Sequence, residues 1–284
     1  MIAITGASGQ LGRLVIQTLL NRVPARELVA VVRNPGAVQD LAQRGVQVRQ
    51  GDYSRPESLA SAFKGVDKVL LISSSEVGQR APQHKAVIDA ALLAGVKLLA
   101  YTSILHADKS PLGLAAEHLE TEVYLRAAGL PFVLLRNGWY TENYAASIPV
   151  ALQHGVFLGS AGQGRIASAA RIDYASAAAE VLLREDQGGQ IYELAGDDPY
   201  TLAEFAGEIS RQTGKNVAYQ NLPEAEFKAV LLSAGLPEGL AGLLADSDAG
   251  AAQGGLLDED RQLSRLIGRP TTSMATVIAQ ALKG

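Results

Sequence analysis

Ile2-Ala3-Ile4-Thr5-Gly6-Ala7-Ser8-Gly9-Gln10-Leu11-Gly12 decides the fold. A short apolar run leads directly into three glycines spaced three apart, and Leu11, Leu14, Val15, Thr18 and Leu19 then fall on one helical face. In a strand–turn–helix of this kind the first glycine permits the tight turn. The second lets the backbone approach a diphosphate, and the third lets the helix lie close against the strand. The first helical turn offers unpaired N–H groups and the positive end of its dipole to an anion. Three glycines alone signal little. Between a strand and a helix they predict a dinucleotide site built from Gly6, Ala7, Ser8, Gly9, Gln10, Leu11 and Gly12.

Outward from this turn, apolar runs at 28–33, 46–50, 69–73, 98–103 and 132–136 alternate with longer amphipathic stretches. Val87, Ala90, Ala91 and Ala94 share one such face, which stops at Gly95. Strict alternation implies right-handed crossovers and an α/β fold with a doubly wound parallel sheet. Past residue 140, Pro149, Gly155, Gly159, Gly162 and Gly164 interrupt the pattern, and 190–194 reads as one more strand. Residues 200–284 read as mainly helical, starting from an N-cap at Thr201 with Glu204 three positions on. The expected division is a dinucleotide-binding domain over 1–140, with later strands contributed from about 150–195, and a smaller substrate domain over 196–284. Residues 246–255, Asp-Ser-Asp-Ala-Gly-Ala-Ala-Gln-Gly-Gly, read as a flexible loop. They lack the glutamate that a calcium loop carries at its twelfth position, and no metal site is expected.

The 284 residues are enough to bury a real core without staples. With 25 basic against 29 acidic side chains, the net charge of −4 excludes the strongly basic footprint of a nucleic-acid binder. The absence of cysteine rules out disulfides, a thiolate nucleophile and cysteine-ligated metal. Every apolar run falls far short of the ~20 residues of a membrane span. No secretory leader is readable at the N-terminus, so a cytoplasmic protein with no membrane partner is expected.

The second strand ends at Val31-Val32-Arg33-Asn34-Pro35, with no acidic residue before Asp40. A site for NAD places a carboxylate here to accept from the ribose 2′-hydroxyl, whereas an arginine accommodates the 2′-phosphate of NADP. Arg33 therefore argues for NADPH. Asp52, after the third strand, has two readings: a contact to adenine, or a cap on the helix starting near Pro56. Ser73, Ser74 and Ser75 follow the fourth strand at the carboxyl end of the sheet, where small hydroxyls leave room for a nicotinamide ribose.

Gly6-x-x-Gly9-x-x-Gly12, Val32-Arg33-Asn34-Pro35, Gly51-Asp52, Tyr101-Thr102-Ser103 and the long stretch from Tyr124 to Tyr144 resemble the NmrA-like atypical short-chain dehydrogenases. Within that family the chain is similar to members that reduce quinones, and the likeness runs over essentially its whole length. The resemblance implies a Rossmann domain holding NADPH, with a smaller, mainly helical C-terminal substrate domain. It implies that Asn137, Gly138, Trp139, Tyr140, Thr141 and Glu142 close over the nicotinamide half, and that Arg171 reaches a cofactor phosphate. Trp139 and Tyr140 are expected to offer a stacking wall to a planar quinone, with Asn143 and Ser168 bonding its oxygens.

Reductive short-chain dehydrogenases carry Tyr-x-x-x-Lys on the helix after the fifth strand. Here Leu114 stands at the tyrosine spacing and His118 at the lysine, so a carbonyl reductase or sugar epimerase would lack its proton donor. A quinone is less demanding, because the hydride comes from the cofactor and the protein chiefly sets two planes face to face. His118 reads as a helix-surface residue, with proton delivery as its competing role. Two functions follow: an NADPH-dependent quinone reductase, or an NADP-binding redox sensor without turnover.

Overall fold

The computed structural model describes residues 1–283. The chain begins β1 (Ile2–Ile4), α1 (Gln10–Leu20), β2 (Leu28–Val32), α2 (Gln39–Gln43), β3 (Gln47–Gln50), α3 (Pro56–Ala62) and β4 (Lys68–Leu71). It continues through α4 (Arg80–Leu93), β5 (Leu98–Ile104), α5 (Ala115–Ala127), β6 (Phe132–Asn137), α6 (Thr141–Ala145) and α7 (Ile148–His154). Next come β7 (Val156–Gly159), α8 (Arg171–Leu183), β8 (Ile191–Leu194), α9 (Leu202–Thr213) and β9 (Ala218–Asn221). Helices α10 (Glu224–Ser233), α11 (Glu238–Ala252), α12 (Gln262–Ile267) and α13 (Met274–Ala281) complete the described chain. Among the described residues no helix is long and apolar enough to cross a membrane.

Two compact units emerge, and neither is continuous in sequence. The first comprises Met1–Ile104, Ala116–Asn137 and Arg171–Tyr192. Its sheet has the order β3-β2-β1-β4-β5-β6-β8. The registers of β1 with β2 and β4, β2 with β3, β4 with β5, and β5 with β6 are all parallel. The order reverses at β1, so the sheet is doubly wound as its alternation predicts. Strands β2 and β5 are buried along their full length, which explains why they read as unbroken apolar runs. Val31, Phe63, Leu71, Val87, Ile88, Tyr101 and Leu134 share one core cluster. Helices α1 and α8 pack together, and α8 buries the small side chains Ala175, Ala177, Ala178 and Ala179.

The second unit comprises Leu105–Ala115, Gly138–Ala170 and Glu193–Gly284, of which residues through 283 are described. Thr201 caps α9 as expected. Its hydroxyl accepts from the Glu204 amide at 3.2 Å while the Glu204 carboxylate accepts from the Thr201 amide at 2.7 Å. Phe205 on that helix meets Phe157, Tyr200 and Tyr144 with ring centroids 5.3, 5.7 and 6.0 Å apart. β7 pairs in parallel with β9, a strand that lies within the mainly helical stretch 200–284. Both strands are four residues long, too short for a period to declare itself.

Residues 246–255 are not a flexible loop, because α11 runs through most of them to Ala252. The stretch from 246 to 252 has no proline to break the helix, and its Ser247, Asp248, Gly250 and Ala251 are buried. A Cβ on Gly250 would lie 2.8 Å from the Leu112 side chain, so this glycine serves close packing rather than freedom.

Candidate active site

In the first unit the carboxyl ends of three strands are tied together before the glycine turn begins. The Thr5 amide and hydroxyl both donate to the Leu70 carbonyl at 3.0 Å, and the Ile72 amide donates to the Thr5 hydroxyl at 3.1 Å. The Tyr53 phenol reaches in from the end of β3 and donates to the Thr5 hydroxyl, with the Ile72 carbonyl 2.9 Å from the same phenol oxygen as an alternative acceptor. The chain then turns at Gly6 with φ +58°, a left-handed conformation that glycine adopts without strain. The Gly9 amide donates back to the Gly6 carbonyl at 2.9 Å. A Cβ on Gly12 would lie 2.6 Å from the Gly6 oxygen and 2.8 Å from the Ala7 Cα, so only glycine lets α1 start this close to the strand. Gly6, Ser8, Gly9 and Gln10 stay exposed, while Ala7, Leu11 and Gly12 are buried beneath them. Helix α1 has no capping side chain and no acid in its first turn, which leaves its first amides to an incoming anion.

Arg33 follows β2 with its side chain 70% exposed, and its guanidinium Nη1 lies 3.0 Å from Glu76 Oε1. The residues beside Arg33 in sequence carry no acid before Asp40, but the fold brings Glu76 to it from 43 residues away. Asp40, the next acid in sequence, is taken by Arg13 at 2.7 Å, and that hydrogen bond holds its carboxyl below the usual range. Asp52 does not cap α3. Its side chain accepts from the Ser54 amide at 2.9 Å and lies 3.4 Å from Arg55, which itself occupies the position before Pro56.

The serines after β4 are held by a buried polar cluster that sequence reasoning missed. The Ser73 amide donates to the Thr102 hydroxyl at 2.9 Å, and the Ser74 amide donates to His84 Nε2 at 2.9 Å. Because Nε2 accepts, the ring proton sits on Nδ1, which donates to the Thr121 hydroxyl at 3.0 Å. Arg80 Nε donates to the Ser74 carbonyl at 2.6 Å, so that peptide is gripped from both sides. Burial lowers the Arg80 pKa and, with the neighbouring guanidinium charge, pushes His84 down to about 3. The signal lay in α4: Arg80, Gln83 and His84 precede Val87, Ile88 and Ala91 on the same buried face, so their polarity marks its N-terminal end as special.

His118 is not a surface residue. It is 6% exposed, with Nδ1 2.7 Å from the Tyr101 hydroxyl. Burial and the Arg80 charge push its imidazole down to about 3, so it is neutral at physiological pH. The helix surface reading failed because Tyr101 supplies a buried partner from β5, which nothing local announces. One turn further along α5, Glu122 is fully buried and satisfied by the Ser103 hydroxyl at 2.6 Å and by Arg136 at 2.9 and 2.7 Å. Asn137 ends β6 with its side-chain Oδ1 buried and without a hydrogen-bond partner. Arg171, half-buried, opens α8.

In the second unit, residues 138–141 run alongside Ala169. The Gly138 amide donates to the Leu194 carbonyl at 2.7 Å, the Ala169 amide to the Trp139 carbonyl at 3.1 Å, and the Thr141 amide to the Ala169 carbonyl at 3.0 Å. Trp139 is 8% exposed, while Tyr140, Glu142 and Asn143 are half-buried. The Ser168 hydroxyl lies 2.8 Å from that of Thr141 and 2.5 Å from that of Tyr200, and so links the two. Beneath α6 the Tyr144 phenol donates to Asp248 Oδ1 at 3.2 Å, and the Ser160 amide donates to Asp248 Oδ2 at 2.9 Å. Burial outweighs those bonds and pushes the Asp248 carboxyl up to about 6. Leu114, half-buried, stands one residue before α5 begins.

The model of the NAD(P)H-binding family matches residues 6–185. Quinone oxidoreductase 2 of Escherichia coli (strain K12) is 60% identical over 279 residues, 98% of each chain. The crystal structure of an NADPH-dependent quinone oxidoreductase from Escherichia coli, complexed with NADPH, superimposes with a TM-score of 0.97 over 99% of this chain and 100% of that one. The Citrobacter sp. triphenylmethane reductase complexed with NADP(H) is 39% identical and superimposes with a TM-score of 0.95 over 99% and 100%.

Proposed function

The chain belongs to the NAD(P)H-binding, NmrA-like family, and on that premise we propose that it is an NADPH-dependent quinone reductase. The observation that carries the cofactor half is the cradle at Gly6, Gly9 and Gly12, where a Cβ on Gly12 would strike backbone and no side chain caps the first turn of α1. Ala7, Ser8, Gln10 and Leu11 complete that turn. Arg33 adds an exposed guanidinium for a 2′-phosphate. The unpaired Oδ1 of Asn137 is a buried acceptor awaiting a donor, and a protein interior rarely leaves one without reason.

When bound, NADPH supplies the hydride. The acceptor quinone takes that hydride and one proton from water and leaves as the hydroquinone. This chain's residues bind and orient. His84 and Arg80 fix the Ser74 peptide, so Ser73, Ser74 and Ser75 present a rigid edge at the carboxyl end of the sheet. Arg171 provides a further cation for a cofactor phosphate, and Gly138, Thr141 and Glu142 line the nicotinamide half. Trp139 and Tyr140 offer aromatic faces to a planar acceptor, with Asn143 and Ser168 as partners for its oxygens. His118, buried and bonded to Tyr101, is neutral near physiological pH and so offers no imidazolium as the acid.

The test is the loss of NADPH absorbance with a small benzoquinone, with and without protein. Turnover dependent on protein supports the reductase. NADPH binding without turnover overturns it and favours the redox-sensor reading.

A further inference from the structure

We propose that Glu76 sets the cofactor preference of this site by competing with the 2′-phosphate for Arg33. The inference rests on the NADPH reading above and adds to it an acid that opposes the arginine.

Glu76 is a held residue rather than a passing neighbour. Its Oε1 pairs with Arg33 at 3.0 Å, and its Oε2 accepts from Gln83 Nε2 at 2.8 Å. Gln83 is buried and also donates to the Ser54 hydroxyl at 3.1 Å, so the carboxylate is moored to α4 and to the loop after β3. The Glu76 amide donates to the Ser74 hydroxyl at 3.1 Å, and the Ser74 peptide is clamped by His84 and Arg80. On the other side the Gly78 amide donates to Glu117 Oε1 at 2.9 Å. The loop is thus pinned both before and after Glu76, which leaves the carboxylate standing over the guanidinium.

A 2′-phosphate carries about two negative charges and seeks the same guanidinium. It must either displace Glu76 from Arg33 or seat beside a carboxylate that repels it. A 2′-hydroxyl faces neither cost, and a carboxylate is an acceptor for it. Arg33 therefore favours NADPH, while Glu76 subtracts from that preference and keeps NADH within reach.

The experiment measures dissociation constants for NADPH and NADH on the full chain, before and after Glu76→Gln, which keeps an acceptor for Gln83. The ratio is expected to move toward NADPH by about three- to fivefold at low salt, the upper part of the range of an exposed ion pair, and by less at high salt. A purely structural role for Glu76 would move both cofactors together. Glu76→Ala is the second variant, expected to shift the ratio in the same direction. In an Arg33→Ala background the Glu76→Gln shift should fall to less than half, because the contested partner is gone. A ratio unchanged within about twofold, or an equal shift in both backgrounds, overturns the proposal while leaving NADPH binding intact. Failure of the unaltered protein to bind NADPH would instead remove the reading beneath it.

Discussion

Asp248→Asn should stabilise the protein above neutrality. Asp248 is 4% exposed, and its carboxyl is raised from the ordinary 3.8 to about 6. A carboxyl whose pKa is higher in the folded state favours folding when protonated. Its contribution is complete below about pH 4 and is lost as the pH rises through about 6. At about 1.36 kcal/mol per pH unit, the charged form costs about 3 kcal/mol at neutral pH. Asparagine keeps an oxygen to accept the Ser160 amide and turns its amino group toward the Tyr144 oxygen, so both present bonds have successors. Urea unfolding followed by the fluorescence of Trp139, the chain's single tryptophan and a member of the same unit, reports the effect. At about pH 3.5, below the unfolded value, the variant and parent should unfold at similar urea concentrations, and at about pH 8 the variant should be more stable by about 2–3 kcal/mol. A variant less stable at about pH 8, with no change in the pH slope, would show that the hydrogen bonds outweigh burial and that Asp248 is content as an anion.

Gly9→Val should abolish NADPH binding while leaving the thermal midpoint of the free protein nearly unchanged, because a Cβ there meets only the Gly6 oxygen at 3.2 Å; a collapse of the free protein would assign Gly9 to packing. Trp139→Phe should raise the KM for a small benzoquinone by a few fold through reduced stacking, about 0.5–1.5 kcal/mol at most, whereas Trp139→Ala also opens a cavity in its unit; an unchanged KM in the phenylalanine variant would remove Trp139 from the acceptor site. Leu114→Tyr should not accelerate quinone reduction, and a large gain in kcat would mean that proton donation limits the reaction.

What could be read from the residues was whatever repeats along the chain. Strands β2 and β5 announced themselves as apolar runs because both faces are covered, and the glycine turn because only glycine fits its geometry at Gly6 and Gly12. Contacts that join distant segments carried no such signal. Glu76 reaches Arg33 across 43 residues, Tyr101 turns His118 inward across 17, and Asp248 meets Tyr144 across 104. The helix through residues 246–252 looked like a loop because its polar residues and glycine are there to fit buried neighbours, which only the packed structure displays.

The discontinuity of both units has a consequence for how the chain is made. The first cannot be complete until Tyr192 has been synthesised, since α8 and β8 arrive only after residues 138–170, which belong elsewhere. A fragment ending at residue 140 would leave α1 without α8 and β6 without the strand beside it. The second unit begins at Leu105 and still requires segments from past residue 193. A ribosome therefore releases about two thirds of this polypeptide before even the first unit can close, and the second must wait for the segments past residue 193.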